Sequence, residues 1–215
     1  MIVHLDADAF FASVEQAADS KLRGKAMAVG GQKRGIIASA SYEARKMGVY
    51  TPMPTARARK ICPQLIVVPG DFAKYEQFSR FMFSYAHDFT PTVERGGLDE
   101  GYLDLTANRK YRPVDAASKL RKTIHDVLRI SVSFGIGENK LVSQIASKLN
   151  KPSAFKEVAI GGERRFLNPL ANRWLPGVGP KVGVMLDSAG LTRIEQIAAT
   201  PPNLLSMFVG GMAAR

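Results

Sequence analysis

Four acidic residues set the chemical question. Asp6 closes the apolar run MIVHLD, Asp8 follows two positions later, and Asp99 and Glu100 stand side by side in RGGLDEGYLDL. Adjacent carboxylates at a glycine-rich turn serve either as a solvated corner or as half of a metal site. Taken singly, each acid reads as a strand-end or turn residue. Brought together, Asp6, Asp99 and Glu100 would repel one another unless cations lay between them. Hard divalent ions with oxygen ligands meet that need, and Mg²⁺ favours a few carboxylates combined with substrate phosphates. Two such ions about 4 Å apart can activate one oxygen and stabilise another in an in-line phosphoryl transfer. Asp8 has a different expectation. It precedes AFFASVE and suits a helix N-cap, leaving the remaining N–H groups of that helix start for a phosphate.

The charge distribution points to an anionic partner. The 215 residues carry 30 Lys and Arg against 19 Asp and Glu, a formal net charge of +11. Residues 21–60 hold ten of those bases and one acid, Glu43. Nucleic acid or nucleotide phosphate is the favoured partner class. An acidic membrane surface ranks below it, because the segment has no evident amphipathic basic helix. Within the basic segment, Tyr42 and Arg45 share one face of a helical turn, where a guanidinium can grip a phosphate and a phenol can donate to it. A plain surface helix is the competing reading. LPGVGPKVG places two glycines before Pro180 at a helix N1 position, with Lys181 nearby. Exposed N–H groups there suit DNA backbone binding better than a simple inter-helix turn.

Several chemistries are excluded or disfavoured. Cys62 is the only cysteine, so no disulfide can form within the chain, and beside Pro63 it is expected in a core. His4, His87 and His125 lack ligand spacing for zinc. GIGENK is too short and glycine-poor for a dinucleotide fingerprint. No apolar run approaches the ~18 residues of a membrane span. The N-terminus lacks a basic n-region, so a cytoplasmic protein without membrane contact is expected.

These side chains need elements to hold them. MIVHLD reads as a strand passing into a helix at about residue 8, with Phe10, Val14 and Ala17 at helical spacing. KAMAVGG and GIIASAS read as two strands joined by the basic loop QKR. YEARKMG is a helical turn, ARARKICP a helix stopped by Pro63, and LIVVP a buried strand. Residues 74–89 carry Tyr75, Phe78, Phe81, Met82, Tyr85 and Phe89 on one core-facing helical stripe. PTVERGGLDEGYLDLT reads as a β-hairpin, and Pro113 opens a helix through about Arg129. In ISVSFGIG, Ile130, Val132, Phe134 and Ile136 share one face. Leu141, Val142, Ile145, Ala146 and Leu149 mark a helix with Lys140, Lys148 and Lys151 off its apolar side.

With residues 10–70 set aside, the order is strand, helix, hairpin, helix, strand, helix. That order suits an α+β fold, a ferredoxin-like antiparallel sheet with helices on one face. Residues from about 161 read as a small helical unit. In such a sheet the first strand neighbours the hairpin, so Asp6 faces Asp99. Strand alternation would send Asp99 and Glu100 to opposite faces. Their convergence on Asp6 therefore requires a bend, with Gly97 and Gly101 supplying flexibility and the longer Glu100 reaching around.

Six strings, HLDADAFFASVEQ, ASASYEARKMGV, MPTARARKICP, LDEGYLDLT, SFGIGENKLVSQIASKLNKP and LPGVGPKV, together resemble the Y-family translesion DNA polymerases of the bacterial DNA polymerase IV type. The resemblance implies a palm at residues 1–9 and 71–160, inserted fingers at 10–70, and a helical thumb at 161–215 with a helix-hairpin-helix-like turn. It implies Asp6, Asp99 and Glu100 as the catalytic carboxylates. Asp6 and Asp99 would bind two Mg²⁺ ions, with Mn²⁺ as substitute. Glu100 would bind the catalytic ion, and the Ala7 carbonyl the nucleotide-side ion. Phe10, Phe11, Ser39, Tyr42, Arg45 and Lys151 would hold the incoming nucleotide, with Phe11 as steric gate against a ribose 2′-OH. Gly177, Gly179 and Lys181 would meet DNA.

The implied reaction is template-directed transfer of dNMP from a dNTP to a primer 3′-hydroxyl. The implied partners of this monomer are primer-template DNA and dNTP, in the bacterial cytoplasm at the nucleoid. A sliding clamp would be reached only through a C-terminal region beyond this sequence. The resemblance implies that the family's little-finger domain also lies outside this stretch, so a catalytic core that holds DNA weakly is expected. Gly97, Gly101 and Gln144 replace a usual Ser, Ala and Lys. A non-catalytic DNA-binding homologue is one alternative. A nucleotidyl cyclase is another, although Leu98 interrupts its Gly-Gly-Asp-Glu hairpin.

Overall fold

The computed structural model of the chain describes residues 1–32 and 35–210. Lys33 and Arg34 of the expected basic loop lie outside the described residues. The elements run β1 (Ile2–Ala7), α1 (Phe10–Ala18), β2 (Met27–Gly30), β3 (Ile36–Ala40), α2 (Tyr42–Lys46), β4 (Met53–Pro54), α3 (Thr55–Ile61) and β5 (Ile66–Val68). Then come α4 (Phe72–His87), β6 (Val93–Arg95), β7 (Glu100–Asp104), α5 (Pro113–Leu128), β8 (Val132–Gly137), α6 (Lys140–Lys148) and β9 (Phe155–Glu157). A helical tail follows, with α7 (Glu163–Leu167), α8 (Pro180–Ser188), α9 (Ile194–Ala199) and α10 (Pro202–Val209).

The main sheet has the order β6-β7-β1-β8-β9. β1 is central and antiparallel to both β7 and β8, while β9 adds in parallel to β8. Its sequence IVHLDA alternates, so successive side chains leave on opposite faces. Val3 and Leu5 join Leu103, Phe134 and Ile136 in a core closed by Tyr75, Met82 and Phe83 of α4 and by Leu120 and Ile124 of α5. His4 and Asp6 leave on the other face, toward α6, where His4 Nδ1 lies 2.7 Å from Ser147 Oγ.

The expectation of helices on one face is therefore corrected. α4 and α5 cover one side, and α6 sits on the other. Small residues on β8 permit this. A Cβ on Gly135 would fall 1.9 Å from the Ser143 carbonyl oxygen, and one on Gly137 would fall 2.8 Å from Val142 Cγ1. Only glycine lets a helix backbone approach a strand so closely.

Two further expectations change. On α4 the buried stripe is Tyr75, Ser79, Met82, Phe83 and Ala86, and Phe81 is 47% exposed. The helical period carries Phe83 inward and turns Phe81 out. Ile66 of β5, an edge strand of the second sheet β4-β3-β2-β5, is exposed while Val67 is buried, because successive side chains leave a strand on opposite faces. That sheet has its own core of Ala28, Ile37, Ala40, Met53 and Ala58, in which Cys62 is buried as expected. Ile37 and Met53 are fully buried, each contributing about 1.5–3 kcal/mol. Among the described residues, no helix is long and apolar enough to cross a membrane.

Candidate active site

The site begins with strand register. Asp6 pairs with Glu100 of β7 and with Ser133 of β8. Directly opposed residues of antiparallel strands share a face, so Asp6 and Glu100 point the same way without any bend. The ladder continues one step, the Ala7 N–H donating to the Asp99 carbonyl at 2.8 Å. Gly96 and Gly97 N–H groups donate to the Glu100 carbonyl at 3.0 and 3.1 Å and close the hairpin. Glu100 thus opens β7, and Asp99 occupies the turn at the mouth of the sheet. The expectation that Glu100 reaches around is replaced. It is Asp99 that turns into the cavity beside Asp6.

Two lysines stand among these acids. Lys151 Nζ donates to Asp6 Oδ1. Lys148 Nζ lies 2.8 Å from Glu100 Oε2 and 3.8 Å from Asp6 Oδ2. From the sequence, Lys148 reads only as a base off the apolar side of its helix. Its spacing of three from Lys151 was the available signal. Burial pushes the Asp6 and Asp99 carboxyls above the usual range, only partly offset for Asp6 by Lys151. Burial acts the same way on Glu100, yet the Lys148 hydrogen bond and charge hold it below the usual range. Burial pulls the His4 imidazole down to about 4. His4 is therefore neutral near pH 7, and its 3.7 Å approach to Glu100 is not an ion pair.

A cavity of about 230 Å³ opens beside Asp6. β1 contributes Asp6 and Ala7, the start of α1 contributes Phe10 and Phe11, and the hairpin contributes Asp99. The second sheet and α2 contribute Ser39, Tyr42 and Arg45, and Lys151 closes the wall. Of the expected nucleotide and metal residues, only Glu100 does not line it. Ala9, Ala38 and Thr51 also line it, and nothing in their types pointed there. A larger hollow of about 480 Å³ lies between α6 and the tail helices, but its walls, including Leu141, Val182, Leu186 and Leu205, carry no charge.

The walls are held from behind. Ser41 caps α2 by accepting from the Ala44 N–H at 3.2 Å. Arg45 Nε donates to the Ala40 carbonyl at 3.0 Å, and its guanidinium lies 4.8 Å from the centre of the Tyr42 ring. The Tyr42 hydroxyl is buried without a partner among the described residues. Burial, aided by the Asp8 charge, pushes it up to about 12, so it remains a donor. Ser39 Oγ accepts from the Ala12 N–H at 3.3 Å. Phe11 stacks on Tyr75, whose hydroxyl donates to Glu15 at 2.7 Å.

Asp8 does not cap α1. Ala9 takes the cap position in the left-handed region (φ 47°, ψ 48°), and no side chain caps the helix. This turn sends the Asp8 carboxylate toward β8, where it accepts from Ser131 Oγ and Ser133 Oγ at 2.7 Å and from the Ser153 N–H at 2.8 Å. Its role is structural, but it ties β8 to the Lys151 loop. The flexibility expected of Gly101 is corrected as well. Gly101 does not have a positive φ, and a Cβ there would meet Phe83 Cε1 at 2.6 Å and the Glu94 carbonyl at 2.8 Å. Close packing requires this glycine. Gly177, Gly179 and Lys181 gather at the start of α8, exposed, with Pro180 in the first turn as expected. None of them lines the carboxylate cavity.

Among the described residues, no three acidic, histidine or cysteine groups are arranged to hold one metal ion. Ammonium groups occupy the spaces between the carboxylates. The Asp6 and Glu100 oxygens are hard donors already paired with ammonium groups, a chemistry that fits Mg²⁺ in exchange for the lysines.

Fold and cavity define an α+β protein whose main sheet carries, at the ends of its inner strands, an acidic centre walled by phenol, guanidinium and ammonium groups. The chain belongs to the impB/mucB/samB family, that of the Y-family DNA polymerases, whose model matches residues 5–148. It is 54% identical over 183 residues to DNA polymerase IV of Opitutus terrae, covering 84% of this chain and 47% of that protein. It is 38% identical over 216 residues to DNA polymerase IV of Dehalococcoides mccartyi, covering 99% of this chain and 55% of that protein. The chain thus spans about half the length of these relatives. Among solved structures, an insertion ternary complex of Dbh DNA polymerase superposes with a TM-score of 0.92 at 29% identity, covering 99% of this chain and 64% of that one. DinB from Sulfolobus solfataricus matches with a TM-score of 0.91, 29% identity and the same coverage.

Proposed function

We propose that this chain is the catalytic core of a template-directed DNA polymerase of the lesion-bypass type. It adds a deoxynucleotide to a primer 3′-hydroxyl and releases pyrophosphate. One observation carries the reading: Asp6 and Asp99 share a single cavity with Phe11, Tyr42, Arg45 and Lys151. Relatives named DNA polymerase IV and a neighbour described as an insertion ternary complex support it. On this reading residues 1–9 and 71–160 are a ferredoxin-like palm, 10–70 the fingers and 161–215 the thumb. The protein acts as a monomer on primer-template DNA and dNTP.

Asp6, Asp99, Glu100 and the Ala7 carbonyl would hold two Mg²⁺ ions, or Mn²⁺. The ions supply charge neutralisation and activation of the primer oxygen. The chain's own groups do the rest by positioning and electrostatics. Tyr42 donates its unpartnered hydroxyl to the triphosphate, and Arg45 presents its fork beside it. Lys151 exchanges Asp6 for phosphate oxygens. Phe11 and Phe10 form the wall against the sugar, and Ser39 completes it. The N–H groups at Gly177 and Gly179, with Lys181, take the DNA backbone.

Primer extension on undamaged and abasic templates tests the reading. Extension by the parent chain and a loss of about 1,000-fold or more in Asp99→Ala/Glu100→Ala are expected. Extension that survives the double substitution rejects the assignment.

A further inference from the structure

Lys148 belongs to no expected nucleotide or DNA contact, yet it touches two of the three central carboxylates. Its ammonium is 2.8 Å from Glu100 Oε2 and 3.8 Å from Asp6 Oδ2. Lys151 holds the other oxygen of Asp6 but also lines the cavity, where phosphates can receive it. Lys148 lies outside that lining. It has no phosphate to move to. Its backbone is fixed as well, since α6 rests on β8 at the Gly135 contact. The other nearby groups do not replace its charge. Lys140, the next base along α6, pairs with Glu94 at the surface.

We propose that Lys148 is an internal counter-cation that competes with divalent metal for Asp6 and Glu100. The inference rests on the metal reading of those carboxylates given above. With no metal bound, the ammonium offsets two facing acids that would otherwise repel. A divalent ion using the same oxygens must displace it, because two cations cannot share one carboxylate oxygen at contact distance without strong repulsion. Lys148 therefore raises the metal concentration at which the site fills, and lets the empty site fold without one.

Mn²⁺ binding to the purified chain, without DNA or nucleotide, is the test, read by the electron paramagnetic resonance of free Mn²⁺. Lys148→Met should bind Mn²⁺ about five-fold or more tightly than the parent, as expected for removing a half-exposed ion pair. Lys148→Arg keeps the charge and should bind no more tightly than the parent. Lys140→Met should leave affinity within about two-fold, which separates a local effect from net charge. Without metal, Lys148→Met should melt lower than the parent, and Mn²⁺ should raise its melting temperature by more. Parent-like or weaker binding by Lys148→Met overturns the proposal, as does equal tightening by Lys148→Arg. If Asp6→Asn/Asp99→Asn binds Mn²⁺ as well as the parent, the metal reading itself falls and takes the inference with it.

Discussion

The Phe11 ring lies nearly flat on Tyr75, with centroids 4.4 Å apart and planes 17° from parallel. Tyr75 is fully buried, and its hydroxyl is fixed by Glu15, whose other oxygen accepts from Lys74 at 2.8 Å. A ring backed by a buried, hydrogen-bonded ring cannot retreat from a ligand that presses on it. That rigidity is what a steric gate requires.

Phe11→Ala should therefore raise incorporation of ribonucleotides relative to deoxyribonucleotides by about 10–200-fold, the range expected when a pocket loses one steric contact. The ratio of kcat/KM for the two sugars measures it. Unchanged discrimination would reject the gate.

Arg45 and Tyr42 are expected to act on binding. Arg45→Ala should raise KM for dNTP about 10-fold or more, the loss of a charge-assisted hydrogen bond, with a smaller change in kcat. Tyr42→Phe removes one neutral donor and should raise KM about 3–10-fold. Steady-state kinetics at saturating DNA separate the two parameters, and an unaltered KM for both variants counts against triphosphate contact.

Gly101 makes a stability prediction independent of function. Gly101→Ala drives a methyl into the Phe83 ring and the Glu94 carbonyl, and should cost about 1–3 kcal/mol in urea unfolding. Adding Phe83→Leu should recover part of the loss, since the backbone contact remains. A neutral Gly101→Ala would show that β6 and β7 yield more easily than their packing indicates.

Asp8 predicts a coupling. Asp8→Asn weakens three charge-assisted hydrogen bonds and should cost about 2 kcal/mol. It should also weaken dNTP binding, because the Ser153 contact anchors the Lys151 loop. Asp8→Asn and Ser133→Ala should be coupled by about 1 kcal/mol in a double-mutant cycle. Additive effects would indicate that the carboxylate acts elsewhere.

Much of the architecture is legible in local pattern. The alternation of IVHLD and ISVSFGIG marks strands. Pro113 and Pro180 mark helix starts. The hairpin around Asp99 and Glu100 follows from its glycines and alternating flanks. Phe81 and Ile66 were misread because burial depends on the neighbour an element finds, which periodicity within the element does not contain. Gly101 was misread as flexible because the sequence does not show that Phe83 and the Glu94 carbonyl lie against it.

The sequence by itself determined which groups could do chemistry and which local elements carry them: Asp6 at a strand end, Asp99 and Glu100 at a hairpin, and Tyr42 and Arg45 on one helical turn. Only the tertiary structure decided how these groups meet. Strand register set Asp6 against Glu100 and left Asp99 to enter the cavity. The glycines of β8 let α6 settle on the far face of the sheet, and so placed Lys148 between the acids. Asp8 took partners 123 to 145 positions away instead of the helix beside it. Local propensity acts over a few residues. The acidic centre is assembled by sheet register and close packing, which depend on the whole chain having folded.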